Sequence, residues 1–271
     1  MQKIEIAHLA AWQHTVSNPK ARVLIVHGIS EHSNRHQNTI QALLKNDIEV
    51  IRFDLRGAGE SEGARQYIDS FEDYVEDVEH IFNWQKTLKP LPLFLLGHSL
   101  GGAIAIHFFS RYQEHFSGLM LTAPAYKVGG SISPLKIAVG KALVGFVPKL
   151  KLPVIRTKPT VSRIPEVEKA FRTDPLVSHF NTLQQGNEIL KALEQIIEKS
   201  SLIEKPTFIA HGTSDVVILA VGSYEILRAL KSSDKELHYF PLAFHELHND
   251  LCQEEFFRLL NHWIDNRLLK T

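Results

Sequence analysis

"LFLLGHSLGGAIAIHF", Leu93 to Phe108, sets a serine between glycines where one apolar run gives way to a second run of different spacing. Leu93, Phe94, Leu95 and Leu96 form a short continuous apolar run, the pattern of a strand buried on both faces as in a parallel sheet. Ala103, Ile104, Ile106, His107 and Phe108 fit a largely buried helix. The bend between them reads G-x-S-x-G, from Gly97 through Ser99 to Gly101. Alone that pattern is weak, because an ordinary strand-to-helix connector reads the same. A strand directly before and a helix directly after are what a nucleophile elbow requires. In such an elbow the serine sits on a tight, strained turn that lifts its hydroxyl clear of the sheet, and flanking glycines keep Cβ atoms away from neighbouring elements. A serine placed in this way needs a base, and the base needs an orienting group.

Outward from this stretch, strands alternate with helices. Lys3 to His14 reads as an antiparallel strand pair at an edge, and "ARVLIVHG", "EVIRFD", "SGLMLTAP", "KPTFIAHG" and "KELHYFP" are short β-rich runs. Helical patterns cover Asn34 to Lys45, Phe71 to Leu88, Gly102 to Tyr112 and Tyr224 to Leu230, with Ser70 and Asp73 spaced as a capping box. The alternation predicts an α/β fold with a mostly parallel central sheet flanked by helices. Ligands of such sheets bind beyond the carboxyl ends of the strands. From about Tyr126 to Ile203 the rhythm breaks, too long for a connecting loop, and a helical insertion or lid is expected. The domain reading is therefore core at 1–125, cap at 126–203 and core again at 204–271. Within the cap, Leu135, Val139, Ala142, Leu143 and Phe146 recur at near-helical spacing among Lys136, Lys141, Lys149 and Lys151. That pattern suits either a helix packed on the main body or a face turned to membrane or lipid aggregates.

The chain has 271 residues, 44% hydrophobic and 22% charged, the composition of an ordinary globular protein. Lys plus Arg and Asp plus Glu both number 30, so no basic excess argues for nucleic acid. The single cysteine, Cys252, excludes an intrachain disulfide and any multi-cysteine metal site. The N-terminus lacks an apolar segment of signal-peptide length and no stretch approaches a membrane span, so a cytoplasmic location is expected, with peripheral membrane contact through the cap as the added option. Oligomeric state leaves no mark in the sequence.

With 15 histidines, position has to choose the base. His245 follows the last strand run, in the loop "LAFHELHND" before the C-terminal helix. Asp215, in "FIAHGTSDVV", lies a few residues past the preceding strand. Ser99, Asp215 and His245 each follow a strand end, in the chain order of an α/β-hydrolase triad. His98 reads as a packing residue, His211 as structural, Asp54 as an N-cap or loop-fixing carboxylate and Asp250 as a cap for the last helix. His248 reads equally as a pocket-mouth residue or as an exposed histidine at a helix start. "IVHGISEH" follows an early strand, where the backbone N–H of Ile29 can join that of Leu100 in an oxyanion hole aimed at charge that develops only when a carbonyl becomes tetrahedral.

Taken together, "HGISEHSNRH", "DLRGAGESEG", "GHSLGGAIA", "TDPLVS", "HGTSDVV" and "AFHELHND" resemble, in order and spacing, the monoacylglycerol lipase and lysophospholipase branch of the α/β-hydrolases, from about Val23 to the C-terminus. The resemblance implies a serine esterase acting on lipid esters, with a mobile helical cap over an acyl tunnel and no metal or organic cofactor. It carries the nucleophile role to Ser99, the partner roles to Asp215 and His245, and the oxyanion roles to Ile29 and Leu100. It also sets Glu31 and His248 near the glycerol-binding end of the pocket. One position departs. Where monoacylglycerol lipases have a tyrosine whose hydroxyl helps bind the glycerol head, this chain has Phe171, which weakens selection for glycerol but leaves the ester chemistry intact. A general carboxylesterase, a thioesterase, a cofactor-free perhydrolase and a non-catalytic receptor on the same scaffold share these residues. Haloalkane dehalogenases and epoxide hydrolases are disfavoured because they place an aspartate where Ser99 stands.

Overall fold

The continuous apolar runs form the middle of one sheet. In chain order the N-terminal hairpin of β1 (Gln2–Ile6) and β2 (Leu9–His14) precedes β3 (Ala21–Val26), α1 (Gln37–Leu44), β4 (Ile48–Phe53), α2 (Glu72–Gln85), β5 (Leu93–His98), α3 (Leu100–Tyr112) and β6 (Gly118–Thr122). Then come α4 (Pro134–Leu143), β7 (Lys151–Pro153), α5 (Pro165–Thr173), β8 (Phe180–Thr182), α6 (Leu183–Glu194) and α7 (Ile196–Ser200). The chain returns to the sheet with β9 (Thr207–Gly212), α8 (Val221–Ala229), β10 (Lys235–Phe240) and α9 (Gln253–Leu268). These elements belong to a computed structural model that describes residues 1–130, 134–154 and 159–269, with 134–137 described through their backbone alone.

The strand order is β1-β2-β4-β3-β5-β6-β9-β10. β2 runs antiparallel to β1 and β4, and every pairing from β4 across to β10 is parallel. Every residue of β3, β4, β5, β6 and β9 is buried, which is why these runs lack polar alternation. Successive residues serve opposite faces. Leu24, Val26 and Leu95 pack with Val78 of α2 and Ile104 of α3, whereas Val23, Ile25, Phe94 and Leu96 pack with Ile40 of α1 and Trp263 of α9. Because β3, β5, β6, β9 and β10 are parallel, their carboxyl ends meet along one edge of the sheet. The loops after β3, β5, β9 and β10 are those that carry the candidate site residues.

The chain between β6 and β9 is not wholly helical. β7 and β8 form an antiparallel ladder of their own, Lys151 opposite Thr182 and Pro153 opposite Phe180. Two three-residue strands, one ending in proline, are too short to leave a period in the sequence. Of the apolar series from Leu135 to Phe146, Leu135 and Lys136 have side chains outside the described residues. Val139 and Leu143 are exposed, and Phe146 stands 85% exposed just past the end of α4. Packing onto the main body therefore does not account for them. Among the described residues no helix is long and apolar enough to cross a membrane.

Candidate active site

Ser99 stands between β5 and α3 with φ 54° and ψ −120°, a left-handed conformation that non-glycine residues rarely adopt. The neighbouring glycines are there for close approach. A Cβ on Gly101 would lie 2.2 Å from the carbonyl oxygen of Val26, and one on Gly97 would lie 2.4 Å from that of Gly101. The start of α3 is thereby pressed against the end of β3. The loop after β3 passes the elbow just as closely, since a Cβ on Gly28 would come within 3.0 Å of Ser99 Cβ.

His245 Nε2 lies 2.9 Å from Ser99 Oγ, and His245 Nδ1 lies 2.6 Å from Asp215 Oδ2. The Asp215 carboxylate also accepts the backbone N–H groups of Val217 at 2.8 Å and Ile218 at 3.1 Å, and it lies 3.2 Å from His211 Nε2. Burial alone would raise the Asp215 pKa, but His245 and the hydrogen bonds from His211 and His245 hold the carboxyl far below its usual range. Burial likewise resists charging of His245, yet the adjacent carboxylate outweighs it and the imidazole titrates above its ordinary value. With Asp215 accepting from Nδ1–H, Nε2 is the free lone pair and faces the Ser99 hydroxyl. An imidazole in this state can take the proton of the hydroxyl as the oxygen attacks a carbonyl.

Ser99, Ile29 and Leu100 line a cavity of about 550 Å³ whose walls are mostly apolar, including Leu152, Leu190, Leu193 and Ile218. Among the described residues neither the Ile29 nor the Leu100 backbone N–H has an acceptor. A second cavity of about 20 Å³ adjoins Ser99 and His245 and is bounded by Glu31, Val161, Phe171 and Val217.

The residues set near the glycerol end are placed differently from one another. Glu31 is buried and turned back into its own loop, where Oε1 accepts the Gly28 N–H at 2.6 Å and lies 3.4 Å from His36 Nε2. Burial opposes its ionisation, but His36, His98 and His27 together keep the carboxyl well below its usual range. Phe171 is buried against Arg35, whose guanidinium carbon sits 4.6 Å from the ring centroid while Nη2 pairs with Glu246 at 2.6 Å. His248 lines neither cavity. It is buried in a short 3₁₀ turn, stacked on His36 at 4.4 Å and edge-on to His98 at 5.1 Å, and burial beside two other imidazoles holds its pKa well down.

Two further residues support the site. His211, read as structural, faces Asp215 through Nε2 and lies 2.7 Å from the Ser223 hydroxyl through Nδ1. The signal for it was its place at the end of β9, four residues before Asp215. His98 packs its ring 4.8 Å from that of His245 and bonds Thr122 Oγ1 at 3.0 Å. Asp54 fixes a loop as expected, accepting from Ser33 and Glu60. Asp250 does not cap α9. Its oxygens accept instead from Arg163 Nε at 2.9 Å and the Phe244 N–H at 2.8 Å. Burial pushes the Cys252 thiol up to about 11, so it is no nucleophile at neutral pH. Among the described residues no cluster of three or more histidine, cysteine or carboxylate side chains forms a metal centre.

Residues 17–252 match the Hydrolase_4 family model, described as Serine aminopeptidase, S33. The monoglyceride lipase of Homo sapiens is 31% identical over 94% of this chain and 86% of its own length. An uncharacterized abhydrolase domain-containing protein of Dictyostelium discoideum is 29% identical over 97% of this chain, which spans only 28% of that protein. The crystal structure of a monoacylglycerol lipase from Paleococcus ferrophilus superposes with a TM-score of 0.87 at 28% identity, covering 96% of this chain and 99% of the other. With the parallel sheet, the serine elbow and the loops at the sheet's carboxyl edge already in place, these likenesses give the assignment: the chain belongs to the Hydrolase_4 family, in the monoglyceride lipase-like branch of the α/β-hydrolases, a group of carboxylic ester hydrolases.

Proposed function

We propose that this chain hydrolyses carboxylic esters of lipids, monoacylglycerols or lysophospholipids, with Ser99 as nucleophile, His245 as general base and Asp215 as its orienting partner. The observation that carries this reading is the unbroken chain Asp215–His245–Ser99, at 2.6 and 2.9 Å, beside a largely apolar cavity of about 550 Å³. Ser99 Oγ attacks the ester carbonyl as its proton passes to His245 Nε2. The N–H groups of Ile29 and Leu100 receive the developing oxyanion, each worth roughly 3 kcal/mol. The imidazolium, held by Asp215, returns the proton to the departing alcohol, and water activated by the same imidazole releases the acid from the acyl-enzyme.

The acyl chain occupies the large cavity, where each buried methylene contributes about 0.8 kcal/mol, close to four-fold in kcat/KM. The alcohol side of the ester faces Phe171, whose ring offers no hydroxyl to a glycerol head; the small cavity there, about 20 Å³, has room for little more than one water and must widen to pass the alcohol. Residues 126–203 act as the cap, and the exposed apolar side chains at and after α4 meet the lipid surface that holds the substrate.

A panel of monoacylglycerols, lysophospholipids and simple esters of graded chain length, run with Ser99→Ala as control, tests the reading. Ser99→Ala should lower turnover by about a millionfold and abolish fluorophosphonate labelling while its melting temperature stays near wild type. Turnover retained in the variant would remove Ser99 from the mechanism, and a panel with no preference for long acyl chains would remove the lipid substrate.

A further inference from the structure

The cavities, the histidine stack behind His245 and the apolar surface at α4 all belong to the reading above. A set of contacts outside it ties α5 to the loop that carries His245. Glu168, on α5, is 5% exposed. Its Oε1 accepts the backbone N–H of Thr160 at 2.5 Å, of Val161 at 2.6 Å and of Ser162 at 3.4 Å. The same three residues then hold the histidine loop. Thr160 O accepts the N–H of His245 at 3.4 Å, Val161 O accepts that of Glu246 at 2.7 Å, and Ser162 Oγ donates to Asn249 O at 2.7 Å. Next in the chain, Arg163 Nε reaches Asp250, the carboxylate that also accepts the Phe244 N–H. At its other end α5 runs into contacts with the loop of Ile29, where Asp174 Oδ2 lies 2.9 Å from His32 Nε2 and the Ser178 N–H donates to Ser30 O at 2.8 Å.

We propose that Glu168 is a positioning residue for His245. Residues Thr160 to Ser162 have no regular structure, so their three N–H groups need an acceptor, and one buried carboxylate oxygen collects all of them in charge-assisted hydrogen bonds. That fixes the direction of the Thr160 and Val161 carbonyls and thereby the backbone of His245 and Glu246. The 2.9 Å separation between Nε2 and Ser99 Oγ then depends on a side chain of the segment between β6 and β9 that touches neither residue. A displacement of about 1 Å at a reacting group costs on the order of a hundred-fold in rate. In this arrangement α5 is a fixed strap across both catalytic loops.

The inference rests on the proposed roles of Ser99 and His245, and its test separates the two. Glu168→Ala should lower kcat on a short-chain ester by about ten- to a hundred-fold with KM within about three-fold, and Glu168→Gln, whose amide oxygen still accepts N–H groups, should recover most of the loss. Hydrogen exchange should quicken in residues 243–250 of Glu168→Ala while β5 and α9 stay protected. Ser162→Ala removes one tether from the same segment and should move kcat and exchange in the same direction by a smaller factor, which keeps the proposal testable if Glu168→Ala folds poorly. Wild-type kcat with unchanged exchange at 243–250 overturns it. So does a loss confined to KM, or one that follows melting temperature and is not rescued by glutamine. If Ser99→Ala keeps its turnover the functional reading fails, while the exchange experiment still decides whether Glu168 holds the histidine loop.

Discussion

Ser99 is held at φ 54° by bonds made on either side of it: its N–H donates to Thr122 O at 2.9 Å, and its carbonyl accepts from Gly102 and Ala125. A non-glycine residue in that conformation costs of order 1–3 kcal/mol, which the surrounding bonds and packing offset. The benefit is direction, because the hydroxyl meets His245 Nε2 rather than the interior of the sheet. In the proposed mechanism His245 serves as base only while uncharged. The Asp215 carboxylate outweighs burial and raises the imidazole pKa, so the protonated, inactive form persists to higher pH than for a free histidine. The acid limb of kcat/KM should therefore lie above about pH 6.5, with activity lost as pH falls through it. Asp215→Asn removes the raising charge. Its residual activity, about ten-thousand-fold lower, should carry an acid limb at lower pH. A wild-type limb at or below pH 6 in a pH–rate profile would contradict the arrangement. That Ser99, Asp215 and His245 come together was legible in the sequence because each follows a strand run. The inward turn of Glu31 onto Gly28 was not, since it is a local loop closure that the side-chain pattern does not mark, and neither was the stacking of His248 on His36, which joins loops far apart in the chain.

At the scale of elements, the contact between α3 and the end of β3 sets the spacing of the site. Gly101 faces Val26 O and His27 O at distances no Cβ tolerates, 2.2 and 2.5 Å, and both atoms are backbone in a fully buried strand and the turn after it. Gly101→Ala should force the helix from the strand, carrying the Leu100 N–H away from that of Ile29. The expected destabilisation is about 1–3 kcal/mol, with a loss of rate on every ester alike. Urea unfolding beside steady-state kinetics checks it, and an unchanged midpoint would mean that the helix already has room. This junction was readable because buried parallel strands leave continuous apolar runs and the elbow leaves its glycines. The ladder of β7 and β8 was not, because three residues per strand give no period, and the reach of α5 onto the histidine loop runs through backbone groups that leave no mark in the side-chain pattern.

For the whole molecule, the sheet's parallel direction gathers the loops at one edge, and the segment between β6 and β9 lies beside that edge, burying Val161, Phe171 and Val177 while several apolar side chains at and after α4 face outward. Val139, Leu143, Phe146 and Val147 are exposed, and Lys141, Lys149 and Lys151 stand along the same stretch. Gly140, Lys141 and Leu152 of that stretch also line the large cavity, so a lipid surface meeting these side chains would lie at the cavity's own rim. An apolar face with nearby lysines suits shallow insertion among lipid head groups. Phe146, 85% exposed, has the most to gain, since burying a phenylalanine side chain is worth about 1.5–3 kcal/mol. Phe146→Ser should weaken co-sedimentation with vesicles of mixed neutral and anionic phospholipid by at least about ten-fold, and Leu143→Ser should weaken it further. Turnover of a dispersed short-chain ester should stay near wild type in both, because neither side chain lines the cavity, while turnover of a vesicle-borne monoacylglycerol should fall with binding. Equal co-sedimentation of wild type and the double variant would show that this surface stays in water, and the substrate would then have to reach Ser99 from solution.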